Sequence, residues 1–113
     1  MSCIFCEIAE GKMVADVVYQ DDDVMAFRDI HPQAPYHILI IPKQHYTGLN
    51  SFEDHDGALL GKLLLTARQV ARDLGVADDG YRVNINTNGH GGQTVYHLHV
   101  HLLAGRQMMW PPG

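Results

Sequence analysis

Basic charge is scarce and scattered in this sequence. Eight Lys and Arg stand against thirteen Asp and Glu, a formal net charge of −5. The cations, at Lys12, Arg28, Lys43, Lys62, Arg68, Arg72, Arg82 and Arg106, form no cluster. A polynucleotide footprint needs a concentrated basic face to neutralise phosphates and release counterions, so that partner class is excluded. A single small phosphate is not, because backbone N–H groups and imidazoles can hold one locally whatever the global charge. Long apolar runs are missing as well; none approaches the roughly 20 residues of a bilayer span. The opening MSCIFCEIAEGK lacks a basic segment followed by an apolar stretch and a small-residue cleavage site. No membrane partner and a cytoplasmic location are expected. Cysteine is limited to Cys3 and Cys6, and internal repeats and low-complexity tracts are absent.

What is present suits one compact unit. At 113 residues the length predicts a single domain over 1–113, and 46% hydrophobic residues suffice for a core without staples. Residues 17–20 (VVYQ) and 24–28 (VMAFR) read as short strands around a turn at Asp21, Asp22 and Asp23. After an extended loop forced by Pro32 and Pro35, the apolar run from Tyr36 to Ile41 reads as a central strand closed by Pro42. Apolar residues at Leu60, Leu63, Leu64, Ala67, Val70, Ala71 and Leu74 predict a helix from about Ser51 or Asp54 to Leu74. Its single stripe is for packing. Glu53, Asp54 and Asp56 favour its positive end, and Gly75 can stop it. YRVNINTN and the run after GHGGQT predict a hairpin closed by a loop of about six residues. Strands, helix, strands indicate an α+β fold: an antiparallel sheet of about five strands with one long helix packed on it.

The informative stretch is VYHLHVHLL, residues 95–103. On a strand His97, His99 and His101 share one face and Leu98, Val100 and Leu102 the other, with neighbouring histidines about 6.6–7 Å apart. The aliphatic face must cover a core; three imidazoles in strict alternation must face a cleft. Two chemistries fit. A His-x-His pair can bind zinc. Alternatively, with a pKa near 6.5, one neutral ring can be a nucleophile while a neighbour supplies a proton. Gly89, Gly91 and Gly92, with Gln93 and Thr94, form a loop able to cradle a phosphate. Cys3 and Cys6 make a C-x-x-C pair, but no strand precedes residue 3 as a thioredoxin-like redox motif requires, and a cytosolic disulfide is disfavoured.

NTNGHGGQTVYHLHVHLLAGRQMMWPPG, together with FRDIHPQAPYHILIIPKQH, resembles the histidine triad family. His97 to Leu103 fills every position of its His-φ-His-φ-His-φ-φ signature, where φ is apolar. The resemblance is strongest to the Hint-like branch of purine nucleoside phosphoramidases. It implies that His99 attacks the α-phosphorus of a nucleotide to form a covalent nucleotidyl-histidine, which water then hydrolyses. His101 would assist the phosphate or the leaving amine, His37 would relay protons, and the backbone carbonyl of His97 would hold the tautomer of His99. Asp29 would accept the ribose hydroxyls. Phe5, Ile8, Phe27 and Ile30 would hold the purine, and Asn86, Gly92, Gln93 and Thr94 would surround the phosphate. The resemblance also implies a structural zinc on Cys3, Cys6, His45 and His97, no catalytic metal, and a homodimer with the tail 105–113 and Trp110 at its interface. The implied substrates are AMP-lysine or AMP-amine conjugates. Alternatives are a dinucleoside polyphosphate hydrolase or nucleotidyl transferase of the same family, a non-catalytic zinc-stabilised nucleotide-binding module, and a zinc hydrolase using the triad as ligands. His31, His55 and His90 fall in turns or polar segments and read as surface residues.

Overall fold

A computed structural model describes residues 3–113. Five strands, β1 (Val17–Gln20), β2 (Val24–Arg28), β3 (Tyr36–Pro42), β4 (Tyr81–Asn84) and β5 (Val100–Ala104), form one sheet in the order β1-β2-β3-β5-β4. Every neighbouring pair is antiparallel. The aspartate turn is built as its composition predicts: Asp21 Oδ1 accepts from the N–H groups of Asp23 and Val24 at 2.8 and 3.0 Å.

Alternation along β3 divides the interior in two. Ile38 and Ile40 join Val24, Ala26, Val100 and Leu102 beneath helix α2 (Gly57–Asp73), which contributes Leu63, Ala67, Val70 and Ala71. All are at most 2% exposed. Truncating one of the large members, such as Ile40, to alanine costs about 2–5 kcal/mol by lost burial and the cavity left behind. Leu39 and Ile41 point the other way and pack with Met25, Phe27, Phe5 and Ile8. The last two belong to a short helix, α1 (Ile4–Ala9). The sheet is therefore sandwiched, and the histidines open on the α1 side.

Three local expectations are corrected. Helix α1 was not foreseen; its buried Phe5 and Ile8 at i, i+3, and Gly11 at φ +77°, are the signals that identify it. Helix α2 starts at Gly57, because Leu49–Ser51 and Asp54–Asp56 are separate 3-10 turns. Asp56 Oδ2 accepts from Glu53 N–H at 2.8 Å and holds the second of these turns apart from the helix. Finally, β4 and β5 do pair, but the connection is residues 85–99. It includes a helical turn, α3 (Asn88–Gly91), ended by Gly92 at φ +80°. His97 and His99 precede the paired part of the strand, although Leu98 still enters the α2-side core.

Candidate functional site

The chain on the N-terminal side of β5 is fastened by a backbone bond: Leu98 N–H donates to Tyr46 O at 2.7 Å. That bond brings His97 beside the residues that follow β3. The His97 ring is fully buried, and its Nε2 lies 2.8 Å from Pro42 O. A carbonyl only accepts, so Nε2 carries the hydrogen and Nδ1 keeps its lone pair. That lone pair lies 3.4 Å from Cys3 Sγ, 3.5 Å from Cys6 Sγ and 3.1 Å from His45 Nδ1, while Cys6 Sγ is 3.3 Å from His45 Nδ1. The four ligand atoms lie within 4.8 Å of one another. A tetrahedral zinc with metal–sulfur bonds near 2.3 Å and metal–nitrogen bonds near 2.0–2.1 Å has edges of about 3.3–3.8 Å, so this cluster fits zinc with small adjustments. The chemistry of the set agrees. Partial burial pushes the Cys6 thiol up to about 11, with the neighbouring Cys3 adding to the effect, and a cation is what would offset two adjacent thiolates.

His99 is fixed the opposite way round. Its Nδ1–H donates to His97 O at 2.8 Å, which leaves the Nε2 lone pair free. Its ring packs edge-on to Phe5, 5.2 Å between centroids, and lines a cavity of about 600 Å³. That volume is within the range that takes a small organic ligand. Phe5, Ile8, Phe27, Leu39 and Val95 make its walls largely apolar, while Asp29, His37, His99 and His101 supply polar groups.

His37, on β3, and His101, on β5, are linked by 2.9 Å between Nε2 of the first and Nδ1 of the second. The tautomers can be assigned from the far end. Gln33 N–H donates to His37 Nδ1 at 3.0 Å, so His37 carries its hydrogen on Nε2 and donates it to His101 Nδ1. His101 then carries its own hydrogen on Nε2. That atom is buried without a hydrogen-bond partner. A buried donor left free is costly unless something comes to use it. Burial lowers the pKa of His37, His97 and His99, and burial with His99 and His37 nearby brings His101 down to about 4. All four rings are therefore neutral at pH 7. Asp29 approaches His37 Nε2 at 3.5 Å and uses its other oxygen to accept from His31 N–H at 2.8 Å. Asp29, His37 and His101 also converge closely enough to hold an ion, but their mutual hydrogen bonding already accounts for that arrangement.

The expected residues thus separate into two groups. Phe5, Ile8, Phe27, Asp29, Ile30, Thr94, His37, His99 and His101 line one cavity, with Ile30, 83% exposed, at its rim. Cys3, Cys6, His45 and His97 form the other cluster. Asn86, Gly92 and Gln93 are not in the cavity wall. Gln93 is spent internally: its amide donates to Thr47 O and Val95 O at 2.8 and 3.1 Å and accepts from Asn88 N–H at 2.9 Å. Asn86 accepts from the Asn84 side chain. The idea of a zinc held by the triad itself fails on orientation, because the free nitrogen of His97 faces the thiols and that of His99 the cavity. Unforeseen participants are the backbone groups of Pro42 and Gln33, which have no sequence signature, and the cavity residues Ile4, Met13, Val14 and Ala15. His55 and His90 are exposed as expected, while His31, also exposed, lines the cavity and was not anticipated there.

Comparison with known proteins agrees with this geometry. The HIT domain family matches residues 10–108. A 14 kDa zinc-binding protein of Zea mays is 54% identical over 97% of this chain and 87% of its own. A HIT family hydrolase from Legionella pneumophila superposes with a TM-score of 0.97 at 52% identity, over 99% of this chain and all of that one. A histidine triad nucleotide-binding protein from Candida albicans superposes at 0.82 with 31% identity, covering 97% and 83% of the two chains. With a family match over most of its length and relatives of this identity and coverage, the chain belongs to the HIT domain family.

Proposed function

We propose that the protein hydrolyses the P–N bond of purine nucleoside phosphoramidates, of the AMP-lysine or AMP-amine type. The observation that carries the reading is the Nδ1–H bond from His99 to His97 O, which leaves a neutral nucleophilic nitrogen on a ring lining the cavity. The cavity's apolar end suits a purine, and Asp29 suits the ribose hydroxyls. The hydrolase and the nucleotide-binding protein among the relatives support both elements.

In the first half-reaction the Nε2 lone pair of His99 bonds to the α-phosphorus and the P–N bond breaks. The departing nitrogen takes the Nε2 proton of His101. His101 takes the Nε2 proton of His37 at Nδ1, and His37 Nε2 borrows a proton from solvent beside Asp29, which the second half-reaction returns. In the second half-reaction water adds to phosphorus, the bond to His99 breaks with its electron pair returning to the ring, and the proton of water leaves along the same rings. Net, water gives its oxygen to AMP and a proton to the amine. Splitting one displacement into two lowers each barrier.

A zinc ion on Cys3, Cys6, His45 and His97 would be structural, with four protein ligands and no position for substrate. It would tie α1, the segment after β3 and the start of the triad together. The zinc-binding relative supports this. The exposed Met109 and Trp110, 71% and 81%, support a homodimer joined through the tail. The reading also places the protein in the cytoplasm; among the described residues no helix is long and apolar enough to cross a membrane.

The test is a rapid quench with an AMP-amine conjugate, followed by peptide mapping. An acid-labile AMP adduct on His99 is expected. Binding without an adduct, or faster cleavage of diadenosine polyphosphate than of AMP-amines, would overturn the assignment.

A further inference from the structure

Arg106 lies two residues past the end of β5, after Gly105, and it reaches back. Its Nε and Nη2 both donate to Gln33 O, at 3.2 and 3.0 Å, and its Nη1 donates to Gln107 O at 3.1 Å. The chain turns sharply enough to allow this because Gly105 adopts φ +95°, where a Cβ would also come within 2.8 Å of Pro35 Cβ. Gln33 is thus gripped on its carbonyl side by Arg106, and on its amide side it donates to His37 Nδ1. Two planar N–H groups hold the Gln33–Ala34 peptide better than one would, and through the shared Gln33 Cα they restrict the neighbouring Pro32–Gln33 peptide, which carries the N–H that reaches His37.

The rest follows by counting hydrogens. If the Gln33 N–H stays on His37 Nδ1, the proton of neutral His37 must be on Nε2, that of His101 must be on Nε2, and the latter is buried without a protein partner. If the Pro32–Gln33 peptide swings away once the Gln33 carbonyl is released, His37 Nδ1 is free to take the proton. His37 Nε2 then becomes an acceptor, His101 turns its hydrogen to Nδ1, and the nitrogen offered to substrate is bare. A bare nitrogen cannot protonate a leaving group.

We propose that Arg106 is a positioning residue which, by holding the Gln33 carbonyl, locks His37 and His101 in the tautomers that present a proton to the leaving group. The proposal rests on the phosphoramidase reading of the same cavity and extends it to a residue that does not touch the substrate.

The experiment compares wild type with Arg106→Met, which keeps the stem and removes every donor, and Arg106→Lys, which keeps one donor. Long-range proton–nitrogen NMR of the rings reads the tautomers directly. Wild type should show Nε2–H on both His37 and His101. Arg106→Met should show mixed tautomers, with Arg106→Lys in between. Kinetically, kcat for an alkylamine conjugate should fall about 10–100-fold in Arg106→Met, below the roughly 10²–10⁴-fold of a lost general acid because part of the population keeps the working tautomers. An AMP ester of an acidic phenol, which leaves without a proton, should change by no more than about threefold by the same reasoning. Unchanged tautomers in Arg106→Met, or equal losses on both substrates, would overturn the proposal. Should Arg106→Met not fold, Arg106→Lys carries the same two readouts with smaller shifts. A wild-type protein that turns over neither substrate would sink the phosphoramidase reading, and the NMR arm would still decide the tautomer claim.

Discussion

His97 and His99 are two residues apart, similarly buried, and do opposite things. The first donates from Nε2 to Pro42 O and offers Nδ1 to two thiols and a second imidazole; the second donates from Nδ1 to His97 O and offers Nε2 to a cavity. The difference is not in residue type, nor in the direction of their pKa shifts. It lies in which backbone carbonyl stands beside which ring nitrogen. One carbonyl leaves Nδ1 free toward the thiols and another leaves Nε2 free toward the cavity; under the proposed function the first is a metal ligand and the second a nucleophile.

That contrast can be broken most severely at His99. His99→Ala should lower turnover by about 10⁴-fold or more, as loss of a covalent nucleophile does, while nucleotide affinity and metal content stay near wild type in calorimetry and metal analysis. Next comes His101→Ala, expected to cost about 10²–10⁴-fold in kcat for alkylamine conjugates, the range for a general acid, and far less for leaving groups that need no proton. On the other side of the contrast, Cys3→Ser with Cys6→Ser should abolish zinc stoichiometry. A ligand present at 100 times its Kd stabilises by about 2.7 kcal/mol, so Tm should fall by on the order of 10 °C. Turnover measured well below that Tm should stay within about threefold, since the zinc cluster supplies no group to the reaction. If activity instead vanished with the metal, the two halves of the row would not be separable.

The smallest effect sharpens the contrast by pH. Above about pH 6.5 the cavity histidines are neutral in both folded and unfolded chains. As pH falls from there toward about 4, the unfolded chain binds protons that buried His101, held down to about 4, refuses. Stability therefore declines across that interval, and denaturant midpoints at pH 7 and pH 5 should show it. The acid limb of the rate profile should also lie below 6.5, because the lowered rings of His37, His99 and His101 stay in their working neutral form.

Much of this was readable in the sequence because it is periodic. Alternation put Leu98, Val100 and Leu102 in the core, and the i, i+3, i+4 stripe identified α2, although it carried the helix into the 3-10 turns before Gly57 and counted Leu64, which is 50% exposed. The cavity and thiol groupings came from resemblance, whereas the roles of single rings depend on Pro42 O, His97 O and Gln33 N–H. Every residue has such groups, so no letter of the sequence marks them. Helix α1 escaped because six residues give barely two turns of pattern, and its Cys pair drew attention to metal chemistry instead. Gln93 was expected at the phosphate on the strength of a glycine-bearing loop and Asn86 from the family resemblance, yet that loop forms a helical turn that the Gln93 amide holds closed.

The central claim is that neighbouring histidines are held in opposite tautomers for opposite tasks, and ring-nitrogen NMR of the zinc-loaded and zinc-stripped protein tests it most directly. The account predicts Nε2–H on His97 and Nδ1–H on His99, with zinc removal moving the Nδ1 resonance of His97 and leaving His99 in place. The same tautomer on both rings, or a His99 nitrogen that responds as a metal ligand, would contradict it.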